Sequence, residues 1–322
     1  MTYPYYTAAA PQPLPIPLAS PYDRRIRPEL YLPDENLQEA VNLAILLGQP
    51  LLLTGEAGTG KTQLAYHLAH QLQLSEPLKF ETKSNSAARD LFYIYDHLRH
   101  FQAAQTKQGS NDPRNYVHYH ALGLAILRTL PRAEIDELVT ADFPDAAPCR
   151  SVVLIDEIDK APRDFPNDLL NEVEGLYFRI PELGNRKVTA DPALRPLLVL
   201  TSNSEKHLPA AFLRRCVYYH LPFPDAARLS QIIDKQLPDL VGSGEFVQAA
   251  IQLFDELRGE QLGLQKKPAT AELLNWLIAL RQLFPHAVNP LAEPNALTRT
   301  LPVLIKNKDD RDQVEHWLAT RK

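Results

Sequence analysis

The chain has 322 residues, of which 45% are hydrophobic and 23% charged, and its net charge at neutral pH is −5. This length predicts about two domains with a substantial core, and the acidic balance excludes a general attraction to nucleic acid or anionic membranes. Two widely separated cysteines favour a reducing compartment, and the sequence shows no signal-peptide pattern or long apolar window. We therefore expect a cytoplasmic protein that does not enter the membrane.

The first segment is rich in proline, with residues 10–21 reading APQPLPIPLASP. Alternating prolines lack the N–H groups that helices and sheets need, so residues 1–27 are expected to form an extended or disordered tail. The pattern fits either a partner-binding polyproline segment or a tail without a specific role.

The following elements alternate between helix and strand. Residues 34–48 have helical apolar spacing that ends at Gly48, and QPLLLTG (49–55) is the short apolar run of a buried parallel strand. Helical spacing returns at 61–74, and residues 78–82 are a second candidate strand. Two further helices are expected at 86–105 and 119–130, separated by a turn-rich loop.

The second half begins with the clearest strand, SVVLIDE (151–157). A helix at 164–174, a hairpin within 175–190 and a strand at 196–203 follow, whereas only helical patterns occur after Asp225. This order predicts an α/β domain at 28–224, with a parallel sheet flanked by helices, and a small all-helical domain at 225–322.

The stretch GEAGTGKT fits the phosphate-loop pattern G-x-x-x-x-G-K-[ST] and lies between an expected strand and an expected helix. It comprises Gly55, Glu56, Ala57, Gly58, Thr59, Gly60, Lys61 and Thr62. The glycines allow backbone N–H groups to surround phosphate oxygens, and the helix presents its positive end to the same anion. Lys61 is expected to reach the β- and γ-phosphates and the Thr62 hydroxyl to bind Mg²⁺. These features predict ATP and Mg²⁺ as ligands, with GTP left open.

An acidic pair closes the strand 151–157. Asp156 is expected to hold Mg²⁺, and Glu157 is placed to polarise an attacking water. Asn203 ends the strand 196–203 and should emerge at the same edge of the sheet, where it could orient water or be a simple turn residue. Asp159 and Lys160 are interpreted as a charge pair at a helix start.

Four segments in this order, GEAGTGKT, LIDEIDKAPRDFPNDLLNEVE, LVLTSN and LPAAFLRRCVYYHLPFP, resemble the AAA+ ATPases, and more narrowly their MoxR-like and dynein-related branch. The resemblance covers residues from about 28 to 285. It implies that Asp156 and Glu157 are the Walker B pair, that Asn203 is sensor 1, and that Arg215 is the arginine finger, with Arg214 as the alternative.

The resemblance also implies weaker assignments. Lys266 or Lys267 stands where the family has the sensor 2 arginine, and Tyr31 and Leu32 fall where it packs the adenine. Lys61 and Asp156 are 95 positions apart, which implies an insertion containing helix 86–105 or 119–130.

Two histidine pairs, His67 with His70 and His97 with His100, have spacing that could share a helix face. Neither pair has the glutamate or third ligand of a zinc site, so we expect surface histidines.

The resemblance implies a head-to-tail homo-oligomer, commonly a hexameric ring, in which the finger acts on a neighbouring subunit. We expect an ATP-driven machine that remodels an unknown protein client in a chaperone-like way. A slow nucleotide-gated switch or scaffold is the alternative. A nucleic-acid motor is disfavoured because the sequence lacks a basic, aromatic-interleaved patch.

Overall fold

The computed structural model describes residues 27–106, 110–140, 143, 146–203 and 208–320, and the proline-rich segment 1–26 lies outside this range. The described residues fall into two compact units. The first spans 27–56 and 60–222, and the second comprises 57–59 and 223–320.

The helices and strands of the first unit are, in chain order, α1 (Glu35–Leu47), β1 (Leu51–Thr54), α2 (Lys61–Gln71), β2 (Leu78–Glu81), β3 (Tyr93–Tyr95), α3 (His97–Thr106), β4 (Val117–Tyr119), α4 (Ala121–Leu127), α5 (Arg132–Asp136), β5 (Val152–Asp156), α6 (Phe165–Asp168), α7 (Leu170–Gly175), β6 (Tyr177–Ile180), β7 (Arg186–Thr189), β8 (Leu197–Thr201), α8 (Ala210–Leu213) and β9 (Val217–His220).

The centre of this unit is a five-stranded sheet with the order β2-β5-β8-β1-β9, and every pair of neighbouring strands is parallel. Strands β1 and β5 are buried at every position, as their continuous apolar sequences predict for a sheet covered on both faces. Helices α1, α2 and α4 pack against it. The predicted α/β fold is confirmed, and the carboxyl ends of the strands bring Thr54, Asp156 and Thr201 to one edge.

The segment between β2 and β5 differs from the expectation. A single helix over 86–105 is wrong, because residues 93–95 form β3 and pair antiparallel with β4. The Asp96 carboxylate accepts the N–H of Arg99, which caps α3 so that the helix begins only after the strand. The other expected helix, 119–130, is the shorter α4. The hairpin expected within 175–190 is confirmed as the antiparallel pair β6 and β7.

The second unit contains the helices α9 (Ala226–Gln236), α10 (Gly244–Arg258), α11 (Thr270–Leu283), α12 (Ala296–Leu304) and α13 (Lys308–Thr320). Its core surrounds Trp276, which is fully buried and donates its indole N–H to the Thr300 hydroxyl at 2.8 Å. Helices α9 to α13 of this unit confirm the helical patterns expected after Asp225. None of the described helices is long and apolar enough to cross a membrane.

Candidate nucleotide site

The loop of residues 55–60 joins β1 to α2, and its glycines adopt backbone conformations that other residues rarely take. Gly55 has φ of 141° and Gly60 has φ of 94°. A Cβ on Gly55 would lie 2.4 Å from the Leu221 carbonyl oxygen, and one on Gly60 would lie 3.1 Å from a ring carbon of Tyr31. Both the chain path and the close packing therefore require glycine at these positions.

Lys61 is the first residue of α2, and its side chain is buried beneath this loop. Its ammonium donates to the carbonyl oxygens of Gly55 and Glu56, each at 2.8 Å. Burial lowers the pKa of Lys61, while nearby carboxylates, Asp159 foremost, act in the opposite direction. The cation is thus held at the loop, where an anionic ligand would stabilise its charge.

Asp156 is the buried carboxylate at the end of β5, and two hydroxyl groups converge on one of its oxygens. Thr62 donates to Asp156 Oδ1 at 2.9 Å, and Thr201 donates to the same oxygen at 2.6 Å. The structure therefore brings together the predicted residues Thr62 and Asp156. Thr201, which ends β8, was missed because its contact depends on the pairing of β5 with β8.

Glu157, the next residue, has a left-handed backbone conformation with φ 56° and ψ 51°. Such a conformation costs roughly 1–3 kcal/mol for a residue other than glycine and is found mainly where the surroundings enforce it. Here the Glu157 N–H donates to the Thr201 hydroxyl at 2.9 Å. Thr201 thus holds the backbone of one carboxylate residue and the side chain of the other.

Two side chains approach the Glu157 carboxylate. The Lys160 ammonium donates to Oε2, and the Asn203 amide nitrogen lies 3.5 Å from Oε1. The Asn203 N–H also donates to Asp159 Oδ1 at 3.2 Å. Asp159 and Lys160 lie in a short 3-10 helix, Ile158–Lys160, and each also contacts a predicted site residue.

Lys79 on β2 is a second cation of the site that the sequence interpretation missed. Its ammonium lies 2.6 Å from Glu81 Oε1 and 3.2 Å from Asp156 Oδ2. Burial alone would lower the pKa of Lys79, but hydrogen bonds to Glu81 and Asp156 raise it. The sequence feature that could have indicated this ion pair is the i, i+2 spacing of Lys79 and Glu81, because it places both side chains on one face of a strand.

These residues fit a magnesium–nucleotide complex. The Thr62 hydroxyl and Asp156 carboxylate are adjacent oxygen ligands of the kind that Mg²⁺ prefers. The glycine loop and the first turn of α2 offer backbone N–H groups to phosphate oxygens. When bound, magnesium supplies positive charge that polarises phosphoryl oxygens.

Comparison with protein families shows that residues 50–216, just over half of the chain, match the AAA domain of the dynein-related subfamily. The chain belongs to the dynein-related AAA family. A Pseudomonas aeruginosa protein, CD-NTase-associated protein 6, is 26% identical over 253 residues, which cover 74% of this chain and 69% of that protein.

Similar solved structures include RuvB from Thermotoga maritima. A point mutant is 17% identical with a TM-score of 0.47, and the match covers 86% of this chain and 72% of that one. The RuvB Holliday junction branch migration motor is 16% identical with a TM-score of 0.44, covering 87% and 72% respectively.

Of the two residues expected near the base, Tyr31 lies beside Gly60 of the glycine loop. Tyr31 is buried, and its ring centroid is 5.3 Å from that of His67. His67 donates from Nδ1 to the Pro28 carbonyl at 2.8 Å, so the expectation of a surface histidine is wrong for this residue. It is buried because the turn at Pro28–Leu30 packs on α2. Leu32 is half-buried.

Both arginines of the LRRC stretch are exposed and follow α8. Arg215 Nε lies 3.2 Å from Glu174 Oε2, and Arg215 Nη1 donates to the Ala211 carbonyl. The Arg214 side chain makes no ion pair or hydrogen bond with another residue in the described part of the chain. The AAA domain thus presents the Arg215 guanidinium paired with Glu174, next in sequence to an exposed Arg214.

Lys266 and Lys267 are exposed on the loop before α11, in the second unit. The backbone of this loop is fixed by Asp310, a buried carboxylate on α13. Asp310 accepts the N–H of Gln265 at 2.8 Å and that of Lys266 at 3.0 Å. The loop that carries both lysines is therefore anchored, while their side chains remain exposed.

Proposed function

We propose that the chain is an ATP-hydrolysing AAA+ ATPase of the MoxR-like branch, which assembles into a ring in the cytoplasm and remodels or activates a protein partner. The observation that carries the catalytic part is the convergence of Thr62 and Thr201 on Asp156, beside the glycine loop and next to Glu157. Such a pair of carboxylates suits metal binding by one member and activation of water by the other.

Each residue then has one task. The loop N–H groups and Lys61 bind the phosphates, and Thr62 and Asp156 hold Mg²⁺. Glu157 orients the attacking water and accepts its proton, and Asn203, whose amide approaches the same carboxylate, helps to fix its position.

The two exposed arginines support the proposed ring. Arg215 is proposed to reach the γ-phosphate of a neighbouring subunit, with Arg214 bracing the contact. The Arg215–Glu174 pair is exposed, and exposed pairs contribute only about 0–1 kcal/mol, so the guanidinium can exchange Glu174 for a phosphate. Head-to-tail contacts of this kind close into a ring when the rotation between subunits permits it, and we propose a hexamer.

A protein client is supported by the P. aeruginosa relative, which is named for its association with a CD-NTase. The alternative of a slow nucleotide-gated switch is supported by the Lys160–Glu157 contact, because an ammonium held on the catalytic carboxylate would oppose proton transfer to it. The replacement of the sensor 2 arginine by Lys266 or Lys267 also supports a slow switch.

The proposal is tested by nucleotide binding. Lys61→Ala should abolish ATP binding measured by isothermal titration calorimetry, whereas Lys83→Ala, which removes an exposed lysine beyond β2, should not change it. Unchanged binding by Lys61→Ala would refute the phosphate-loop assignment. Light scattering with and without ATP tests assembly, and a strict monomer in ATP would refute the ring.

A further inference from the structure

Both oxygens of the Asp156 carboxylate already have partners from the chain itself. Oδ1 accepts the hydroxyls of Thr62 and Thr201, and Oδ2 lies 3.2 Å from the Lys79 ammonium. The Lys79 side chain is 29% exposed and that of Asp156 11%, so solvent reaches the lysine end of this pair more than the carboxylate end. Glu81 Oε1, at 2.6 Å, holds Lys79 from the other side.

We propose that Lys79 is the resident counter-ion of Asp156 and thereby sets the concentration of Mg²⁺ that the nucleotide site requires. This inference rests on the proposed function, because it assumes that Asp156 binds the metal of a magnesium–nucleotide complex. A divalent cation that approaches Asp156 meets a positive charge already paired with Oδ2, the carboxylate oxygen that does not accept the two threonine hydroxyls. At such distances, and with limited exposure, the repulsion between the two cations is only partly screened.

A purely structural role makes a different prediction. Lys79 also joins β2 to the end of β5, and a brace of this kind would affect the stability of the fold without changing the affinity for metal. Charge and geometry can be separated, because Lys79→Gln retains a polar side chain without charge, Lys79→Met removes charge and donor together, and Lys79→Arg keeps the charge. Lys83→Met is the matched control for loss of a nearby lysine charge.

The experiment measures metal affinity directly, with Mn²⁺ as a paramagnetic probe for the oxygen-ligand site and a non-hydrolysable ATP analogue at saturation. Free Mn²⁺ is quantified by electron paramagnetic resonance for the full-length chain and each variant. We expect Lys79→Met and Lys79→Gln to bind Mn²⁺ several-fold more tightly than wild type, and Lys79→Arg and Lys83→Met to match wild type.

Unchanged or weaker Mn²⁺ binding by both uncharged variants, with the analogue still bound, would overturn the role of Lys79 while leaving the nucleotide site intact. A wild-type chain that does not bind the analogue would instead contradict the proposed function, and this inference with it. Circular dichroism of each variant verifies the fold, and Lys79→Gln provides the test if Lys79→Met does not fold.

Discussion

Thr201→Val removes one hydroxyl group that serves both carboxylate residues of the site. Thr201 is 1% exposed, and valine has nearly the same shape. The hydroxyl donates to Asp156 Oδ1 at 2.6 Å and accepts the N–H of Glu157 at 2.9 Å. The substitution therefore disconnects the Asp156 carboxylate, the proposed metal ligand, from the left-handed backbone of Glu157.

The magnitude follows from these two bonds. A hydrogen bond to a charged group contributes about 1.5–3 kcal/mol, and an unpaired buried N–H costs about 1–3 kcal/mol. Because the two losses share one atom and are not additive, we expect the free energy of unfolding to fall by about 2–4 kcal/mol. Turnover should decrease at least about tenfold, which corresponds to only about 1.4 kcal/mol in the barrier. ATP binding should persist, since Lys61 and the loop are unchanged.

Thr82→Val is the matched control. Thr82 directly follows β2, is 5% exposed, and its hydroxyl has no hydrogen-bond partner in the part of the chain that the structure describes. Removal of an unpaired buried hydroxyl should be neutral or slightly stabilising. The assays are urea unfolding and steady-state phosphate release. Equal stability and turnover for Thr201→Val and Thr82→Val would refute the connecting role of Thr201.

Three further predictions concern other parts of the chain. Arg215→Ala subunits mixed with Lys61→Ala subunits should recover part of the ATPase activity that each variant lacks alone, because some interfaces then pair the intact site of one variant with the intact finger of the other; no recovery on mixing, or full activity of Arg215→Ala alone, would exclude Arg215 as a finger that acts on a neighbour. Lys160→Met should raise basal turnover and leave the free energy of unfolding close to that of wild type, since the pair with Glu157 is exposed; a fall in turnover would contradict a restraining role. Burial alone would raise the pKa of Asp310, but the N–H groups of Lys266 and Gln265 and the Asn307 amide lower it, so this carboxylate stabilises the fold above its unfolded pKa of about 3.9. Asp310→Asn should therefore have a lower free energy of unfolding than wild type near neutral pH, and this difference should disappear as the pH falls through the folded-state pKa. A difference in urea unfolding that stays constant down to a pH of about 2 would contradict this assignment.

The parts of the fold that could be predicted from sequence are those encoded by local pattern. Strands β1 and β5 are continuous apolar runs that end in polar residues, and this pattern is typical of buried parallel strands. The glycine loop could also be predicted from sequence, because its close packing requires glycine at fixed positions. By contrast, β3 is three residues long and is defined by its pairing with β4, some twenty residues away, so periodicity could not separate it from the following helix.

The same distinction applies to the candidate site. Thr62 and Asp156 belong to motifs with fixed spacing, and the structure brings them within hydrogen-bond distance. Lys79 belongs to no motif, and Thr201 lies within LVLTSN but has no role assigned from the sequence. Both residues meet Asp156 only because β2 and β8 flank β5 in the sheet. Their contributions depend on the order of strands, which a single sequence does not specify locally.

The proposed role of Glu157 is to activate water at a site that binds ATP independently of this carboxylate. Its most direct test is ATP binding and phosphate release measured on the same preparation of Glu157→Gln, which keeps the size of the side chain and removes its charge. We predict ATP affinity close to that of wild type, with turnover reduced by at least about a hundredfold, as expected for loss of a general base. Wild-type turnover in Glu157→Gln would exclude Glu157 as the group that activates water.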